Sequence, residues 1–568
     1  MNSIYKKYIV IGAGPGGLQM GYFLKSNKMD YVILEKGQSS GAFFKKFPIH
    51  RKLISINKKN NFFQEDEFNM RHDWNSLLSH DKNLRLTKYS DELFPHADVL
   101  YKYLNDFGTQ HKLNIKFSSE VEQVKKNNEL FEVKLTDGQI YTCSVLLMGT
   151  GAVSEVSPSE IEGIEHTTPY SKQSLNLEHY KNKRIAVLGG GNSAFETADY
   201  LSSVAAFVHV LIKHPVKMAW ETHFVGDLRA VNNNIFDLYQ LKSLHAVLRP
   251  KVKKIEKLPN GTLRTNHTYD YPDSNPPGSL ELTREYDEII NCTGFNWINL
   301  KMFDDSIKPE AKQNSKYPLL NETWESVNVP HLYFIGGSMQ AIDRTSASGF
   351  IHGFRYNIKS LANILLHKFE NRDLENIKFS NFDEKVFFKN LYERFTLSAA
   401  LFQLYGFLGD KIEFSDDRKS YTVSQELPVG YISKTKDKNK HTLMLTLEFG
   451  FKHFDKSSLT FLGPSDPNDT NCAAFLHPVI RHFYKDKISE FHFGDSLLGR
   501  WDSPHESGGA VMSYHSKLID WLNEKLELNL TNLNPNATNP YREWTQEEIK
   551  QKKVEAQSLM KEMKKICK

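Results

Sequence analysis

Cysteine is scarce in this chain of 568 residues: Cys143, Cys292, Cys472 and Cys567 are the whole complement, and they lie far apart. That spacing leaves no Cys-x-x-Cys pair, no zinc-ligand pattern and no disulfide framework. An excess of either charge is also missing. Lys and Arg number 72 against 68 Asp and Glu, a net charge of +4, whereas a nucleic-acid binder concentrates a basic footprint, so no nucleic-acid partner is expected. No apolar run reaches membrane-spanning length, and no membrane partner is expected either. The chain enters its first apolar strand at Tyr8, which leaves no room for a cleavable signal. Its last residues, Lys564-Lys565-Ile566-Cys567-Lys568, form neither a retention signal nor a prenylation box. A cytoplasmic protein is the expectation. No metal site is expected: His477, His482, His492 and His505 lack ligand spacing and read as ordinary polar or capping residues.

What the chain does have begins at Tyr8. Four apolar or aromatic residues run into Gly12-x-Gly14-Pro15-Gly16-Gly17, and a helical pattern follows. Gly12 suits the tight turn, Gly14 admits a pyrophosphate to the backbone, and Gly17 lets the helix pack against the strand. The helix N-terminus presents its positive end to the phosphates. A second strand, Tyr31-Val32-Ile33-Leu34, ends in Glu35, where such a unit places an acid on a ribose hydroxyl. Strand, turn, helix, strand and acid in this order predict a dinucleotide site, and one starting so near the N-terminus is expected to hold FAD.

The region after Glu35 has little regular pattern. Loops at the carboxyl ends of parallel strands carry most chemistry. Lys36, Gly41, Phe43, His50, Leu53, Asn57, Asp73 and Trp74 are therefore expected beside this nucleotide. A helical pattern covers 99–107, and short strands follow over 114–142. The buried strand 145–148 ends in Gly149-Thr150-Gly151, a crossing point beneath a dinucleotide.

A second signal follows at 184–198. Here Gly189-x-Gly191-Asn192-Ser193-Ala194 replaces the third glycine with alanine. The next strand ends in Lys213-His214 rather than an acid, which favours the 2′-phosphate of NADPH over the free ribose of NADH. Arg284 and Arg229 are further candidates for that phosphate. Later strands run into Thr293-Gly294-Phe295 and into Gly336-Gly337, and a helical pattern opens at Gly349-Phe350. These residues complete the expected cofactor contacts. The order predicts an α/β fold of two Rossmann-like dinucleotide-binding domains, the NADPH domain inserted in the FAD domain, plus a C-terminal α+β extension. The FAD domain is placed at 1–165 and 285–370, the NADPH domain at 166–284, and the extension at 371–568. Within the extension a helical stretch (387–407), strands near 441–451 and 473–483, a helix near 513–526 and a charged helix over 544–565 are expected. A polar run at 272–278 reads as a loop.

These motifs together resemble the flavin-containing monooxygenase superfamily. Closer still, the segments HRKLISINK (50–58), FNMRHDWNSLLSHD (68–81), THFVGDLRAVNN (222–233), SGFIHGFRY (348–356) and FLHPVI (475–480) are similar to the FAD-dependent oxidoreductase domain-containing family, endoplasmic-reticulum FAD flavoproteins. The luminal signal and retention tail of those relatives have no counterpart here, so luminal partners are not carried over. Gly163, His166 and Tyr170 only approximate the monooxygenases' FxGxxxHxxxY/F spacing.

The resemblance implies an NADPH-dependent FAD oxidoreductase, a single-component monooxygenase working on a small molecule with O2 through a C4a-hydroperoxide. Asn57 then takes the place of the asparagine beside the flavin. One alternative is a single-component halogenase, for which Lys52 or Lys58 would supply the lysine. Others are a reductase acting on a protein partner, and an interaction protein that keeps FAD as a structural element, with residues 371–568 as its interaction module. The oligomeric state stays open.

Overall fold

In the computed structural model the described residues are 3–531, other than 62, 241, 272–277, 313–315, 451–472, 474 and 502–509. The expected helix at 544–565, the loop at 272–277 and His505 therefore lie outside them. The chain divides into two compact units. The first takes Met1–Glu375 together with Ala399–Leu408 and Glu426–Lys434; the second takes Asn376–Ser398, Gly409–Gln425 and Thr435–Lys568. Three stretches of the expected 371–568 extension, 371–375, 399–408 and 426–434, thus belong to the first unit.

The first unit is built on two parallel five-stranded sheets of the same plan. In one, the strand Tyr8–Ile11 is central. It lies between Val145–Met148, flanked in turn by Leu332–Phe334, and Tyr31–Leu34, flanked by Ile115–Lys116. In the other, Arg184–Leu188 is central between Glu288–Asn291 and Phe207–Leu211, with Thr168–Pro169 and Ala246–Leu248 at the edges. Every residue of Tyr8–Ile11, Tyr31–Leu34 and Val145–Met148 is buried. Such unbroken apolar runs are what a sheet covered on both faces requires. Leu332–Phe334 pairs with Val145–Met148 after the whole second sheet has been made, so the second sheet is an insertion in the topology of the first.

Two further sheets attach to this unit. A four-stranded one contains Ile4–Tyr5, Ile140–Cys143, Leu130–Leu135 and Val121–Asn127. A three-stranded antiparallel one comprises Lys251–Lys257, Leu263–Tyr271 and Gly278–Tyr286. The long helix Ile351–Glu370 has its first half buried and ends where Asn371 adopts the left-handed conformation, a common helix stop.

A six-stranded sheet, all in the second unit except Leu408 and 426–428, runs in the order Ile377–Phe379, Tyr421–Pro428, Leu408–Phe414, Thr442–Glu448, His477–Tyr484, Lys487–His492. The second unit's helices include Glu384–Leu397 and Ala510–Leu526. The expected single helix over 387–407 is two helices broken at Ser398, the second being Ala399–Gln403. The sheet brings histidines together in pairs. His441 Nδ1 lies 3.0 Å from His482 Nε2, and His477 Nε2 lies 3.1 Å from His492 Nδ1. Among the described residues no group of three or more His, Cys, Asp or Glu could hold a metal, and no helix is long and apolar enough to cross a membrane.

Candidate active site: two glycine turns and the loops between them

At the carboxyl end of the first sheet three strand ends meet through glycine backbone. Gly12 has a φ of +104°, and a Cβ there would sit 2.5 Å from Gly149 O. One on Gly16 would sit 2.7 Å from Gly336 Cα, and one on Gly17 only 1.9 Å from Gly12 O. These glycines are required by the protein's own packing. Gly14 is different: nothing lies within 4 Å of a Cβ built on it. The protein leaves room there that it does not use, at the position where the motif brings a pyrophosphate to the backbone.

The helix Pro15–Ser26 starts at that point, with proline in its first turn and no side-chain cap. Its first N–H groups are therefore available to an anion. Glu35 is 7% exposed. Its Oε2 accepts from Ala13 N at 2.6 Å and its Oε1 from Gly37 N at 2.7 Å. Each carboxylate oxygen has a second lone pair, so the fixed group can still take ribose hydroxyls. Gly41 N–H donates to Ala13 O and closes the loop over this turn, while Lys36 is exposed. Gly151 adopts a positive φ, and a Cβ there also meets nothing within 4 Å. This set fits FAD.

The second sheet repeats the device. A Cβ on Gly189 (φ +133°) would meet Cys292 O at 2.3 Å, whereas one on Gly191 would meet nothing within 4 Å. The helix Asn192–Leu201 begins there without a side-chain cap. Lys213 and His214 are exposed at the end of the neighbouring strand, and the Lys213 side chain, 70% exposed, has Glu160 at 3.4 Å. The Asn192 amide turns away from the turn. It donates to Asp227 O at 2.9 Å and accepts from Arg229 N at 3.0 Å and Asn232 Nδ2 at 3.1 Å. These residues fit a pyridine nucleotide.

The loops expected beside the flavin take up varied places. Asn57 is buried, and its Nδ2 donates to Ser90 O at 2.9 Å while its Oδ1 has no hydrogen-bond partner. Asp73 serves its own turn, accepting from the backbone of Asn75 and Ser76 and from the Ser76 hydroxyl. Lys52 is exposed, with its ammonium over the Phe94 ring, and Leu53 is core. Phe43 packs on Phe47 and on Phe295. His50 faces the second sheet's helix: its Nε2 is 3.3 Å from Thr197 Oγ1 and its ring 4.4 Å from that of Tyr200. Burial pushes its pKa down to about 4, so it is neutral. A Cβ on Gly337 would strike the Trp297 ring, and one on Gly349 the Gln340 amide.

Two side chains that the sequence reading did not single out, His352 and Arg355, join the expected Trp74 and Arg229 at the centre. Trp74 stacks on His352, with ring centres 4.2 Å apart and planes 16° from parallel. The Arg229 guanidinium lies 5.2 Å from the Trp74 ring and donates to Ile54 O at 2.9 Å. Arg355 holds the Trp74 loop by donating to the carbonyls of Met70, Asp73 and Ser76. His352 is fully buried and, with burial opposing its charge, is neutral. Beneath the second turn the Tyr170 hydroxyl donates to Glu196, whose pKa burial pushes up to about 7. Cys143 and Cys292 are free and buried, and burial pushes both thiols well above their usual range.

Residues 9–336 match the family described as Pyridine nucleotide-disulphide oxidoreductase. The chain is 32% identical over 513 residues to FAD-dependent oxidoreductase domain-containing protein 2 of Mus musculus, covering 84% of this chain and 76% of the relative. It is 34% identical over 573 residues to the Danio rerio protein of that name, covering 91% and 80%. Among solved structures, a flavin-containing monooxygenase from Stenotrophomonas maltophilia aligns over 64% of this chain and 99% of its own, with a TM-score of 0.48 and 18% identity. With two glycine turns on two sheets and relatives of this similarity over most of its length, the chain belongs to the pyridine nucleotide-disulphide oxidoreductase family and, within it, to the FAD-dependent oxidoreductase domain-containing proteins.

Proposed function

We propose that this protein is an NADPH-dependent, single-component monooxygenase that uses FAD and O2 to oxygenate a small molecule. FAD is assigned to the turn at Gly12–Gly17 and NADPH to the turn at Gly189–Ala194. The observation that carries the reading is the pairing of two turns whose second glycines, Gly14 and Gly191, face space that no protein atom fills. When bound, FAD supplies the redox chemistry, passing electrons from the nicotinamide to oxygen.

The chain's part is to bind, orient and keep water out. Glu35 and the helix at Pro15 anchor one nucleotide, and the helix at Asn192 anchors the other. Lys213 is assigned the 2′-phosphate; its exposed ion pair to Glu160 is worth little and is readily exchanged for a dianion, which supports that role. Trp74, His352 and Phe350 form an apolar wall of stacked rings between the loops. The unpartnered Oδ1 of Asn57 is a buried acceptor that a donor on the ligand side would satisfy. Among the described residues the cysteines, Cys143 and Cys292, are single, buried thiols, whereas a dithiol relay needs an accessible low-pKa thiolate; with no Cys-x-x-Cys in the sequence, this favours oxygen as the electron acceptor. A cytoplasmic location is carried as part of the proposal, to be tested by imaging the tagged chain.

The test is turnover under labelled oxygen with NADPH and a panel of amines, sulfides and indoles. Label in an organic product supports the proposal. NADPH consumption that ends only in hydrogen peroxide, whatever the panel member, makes the protein an oxidase or a reductase awaiting another acceptor.

A further inference from the structure

Arg229 is a cation without a counter-ion. Its guanidinium donates once, to Ile54 O at 2.9 Å, and otherwise lies over Trp74. Of five N–H donors, most are unspent. No carboxylate among the described residues pairs with it, and burial alone pulls its pKa below the ordinary guanidinium value. Two other arginines of this unit are better paired. Arg184 meets Asp287 at 2.9 Å, and Arg355 spends its donors on three backbone carbonyls. A partly buried guanidinium held in place with most of its donors unspent and no carboxylate beside it is an arrangement that a ligand can complete.

The position of Arg229 is also fixed from two sides. Its backbone N–H is bound by Asn192, the residue that opens the helix of the second glycine turn. Its head rests on Ile54 and on Trp74, which stacks on His352 near the start of the helix Ile351–Glu370. The guanidinium thus stands where the loops of the two sheets meet, held still before any ligand arrives.

We infer that Arg229 is an oxyanion anchor, binding a carboxylate or phosphate group of a ligand that sits between the two nucleotide turns. The inference rests on the proposed function in taking that space as the reaction site. The shared chemistry has two sources, the pyrophosphate of the nicotinamide nucleotide and a carboxylate on the substrate. A planar, always-charged fork suits both.

The test compares FAD-loaded full-length protein with Arg229→Gln and Arg229→Lys by calorimetric titration with NADP+ and, separately, with benzoate as carboxylate probe. If the anion is the nucleotide's, Arg229→Gln weakens NADP+ at least tenfold, Arg229→Lys weakens it less, and benzoate is not bound. If it is the substrate's, benzoate binds the wild type and is lost in Arg229→Gln, while NADP+ stays within twofold. Equal affinities for both probes across all three proteins overturn the inference. Thermal unfolding without ligand separates anchoring from architecture. An anchor predicts that Arg229→Gln melts at the wild-type temperature or above it, since a partly buried charge with no counter-ion has been removed. A fall of several degrees together with lost binding makes the role structural and overturns the inference. Anaerobic flavin bleaching of the wild type by NADPH reports on the proposed function by itself, so the two failures are distinguishable.

Discussion

The two glycine turns of the first unit follow one plan but are finished differently. At the first, three pairs of backbone approaches leave no room for a side chain at Gly12, Gly16 or Gly17, and Glu35 is buried and held by two N–H groups. At the second, only Gly189 is so confined, and its strand-end charges, Lys213 and His214, stand in solvent. A tight, pre-ordered site suits a nucleotide that stays. A site with an exposed, exchangeable charge suits one that arrives, reacts and leaves. On the proposed assignment, the shared plan accounts for two dinucleotide sites in one chain, and the different finish for their distinct roles.

Breaking the tight turn has the largest expected effect. Gly17→Ala puts a Cβ 1.9 Å from Gly12 O, which backbone cannot yield without opening the turn. The protein is expected to lose FAD altogether, read as an absent flavin absorbance after purification. Gly191→Ala sharpens the comparison. A Cβ there meets no protein atom, so the variant keeps its FAD and its melting temperature, but its apparent KM for NADPH rises by about tenfold or more, because the new methyl occupies the ligand's space. Next comes Lys213→Glu, which reverses the charge proposed to face the 2′-phosphate. The ratio of kcat/KM for NADPH over NADH is expected to fall by about 10- to 100-fold, mostly through KM, at the magnitude of a lost charge-assisted contact.

A smaller effect concerns Glu196 beneath the second turn. Its folded pKa is raised to about 7 by burial, from an ordinary value of 4.5. A raised pKa means that its contribution to stability is complete below about pH 4.5 and is lost as pH rises through 7. Glu196→Gln should therefore flatten the fall in stability across that window and gain on the order of 2 kcal/mol at pH 8, read from chemical denaturation at several pH values. The smallest is Asn57→Ala. It leaves Ser90 O without its donor and is expected to cost about 1–2 kcal/mol of stability. If Asn57 also serves the reaction, more hydrogen peroxide is released per NADPH consumed; an unchanged yield removes it from the chemistry.

The glycine turns were legible in the sequence because their constraint is local. Gly12, Gly17 and Gly189 are needed by backbone that the same few residues, or the next strand end, bring close. The buried strands were legible for a similar reason, since a covered parallel strand reads as an unbroken apolar run. The antiparallel ribbon containing Gly278–Tyr286 was not. Its burial pattern is exposed almost throughout, so it carries no alternation to detect. The centre was the least legible part. Trp74, Arg229 and His352 meet across stretches of more than a hundred residues, and no spacing rule links them. Asp73 shows the opposite difficulty: a polar residue in the right loop spends its carboxylate on its own turn. The exchange of Ala399–Leu408 and Glu426–Lys434 into the first unit was hidden because the apolar run through Ser398 continues one helical pattern, and the break shows only in the fold.

The most direct test is rapid mixing of the FAD-loaded protein with NADPH or NADH without oxygen, beside Gly191→Ala. The account predicts that the flavin absorbance of the wild type bleaches quickly with NADPH and slowly with NADH, and that Gly191→Ala needs far more NADPH to match it. A wild-type flavin that keeps its colour with both nucleotides, or a Gly191→Ala that bleaches as readily as the wild type, would contradict the claim that the second turn delivers a nicotinamide nucleotide to the first.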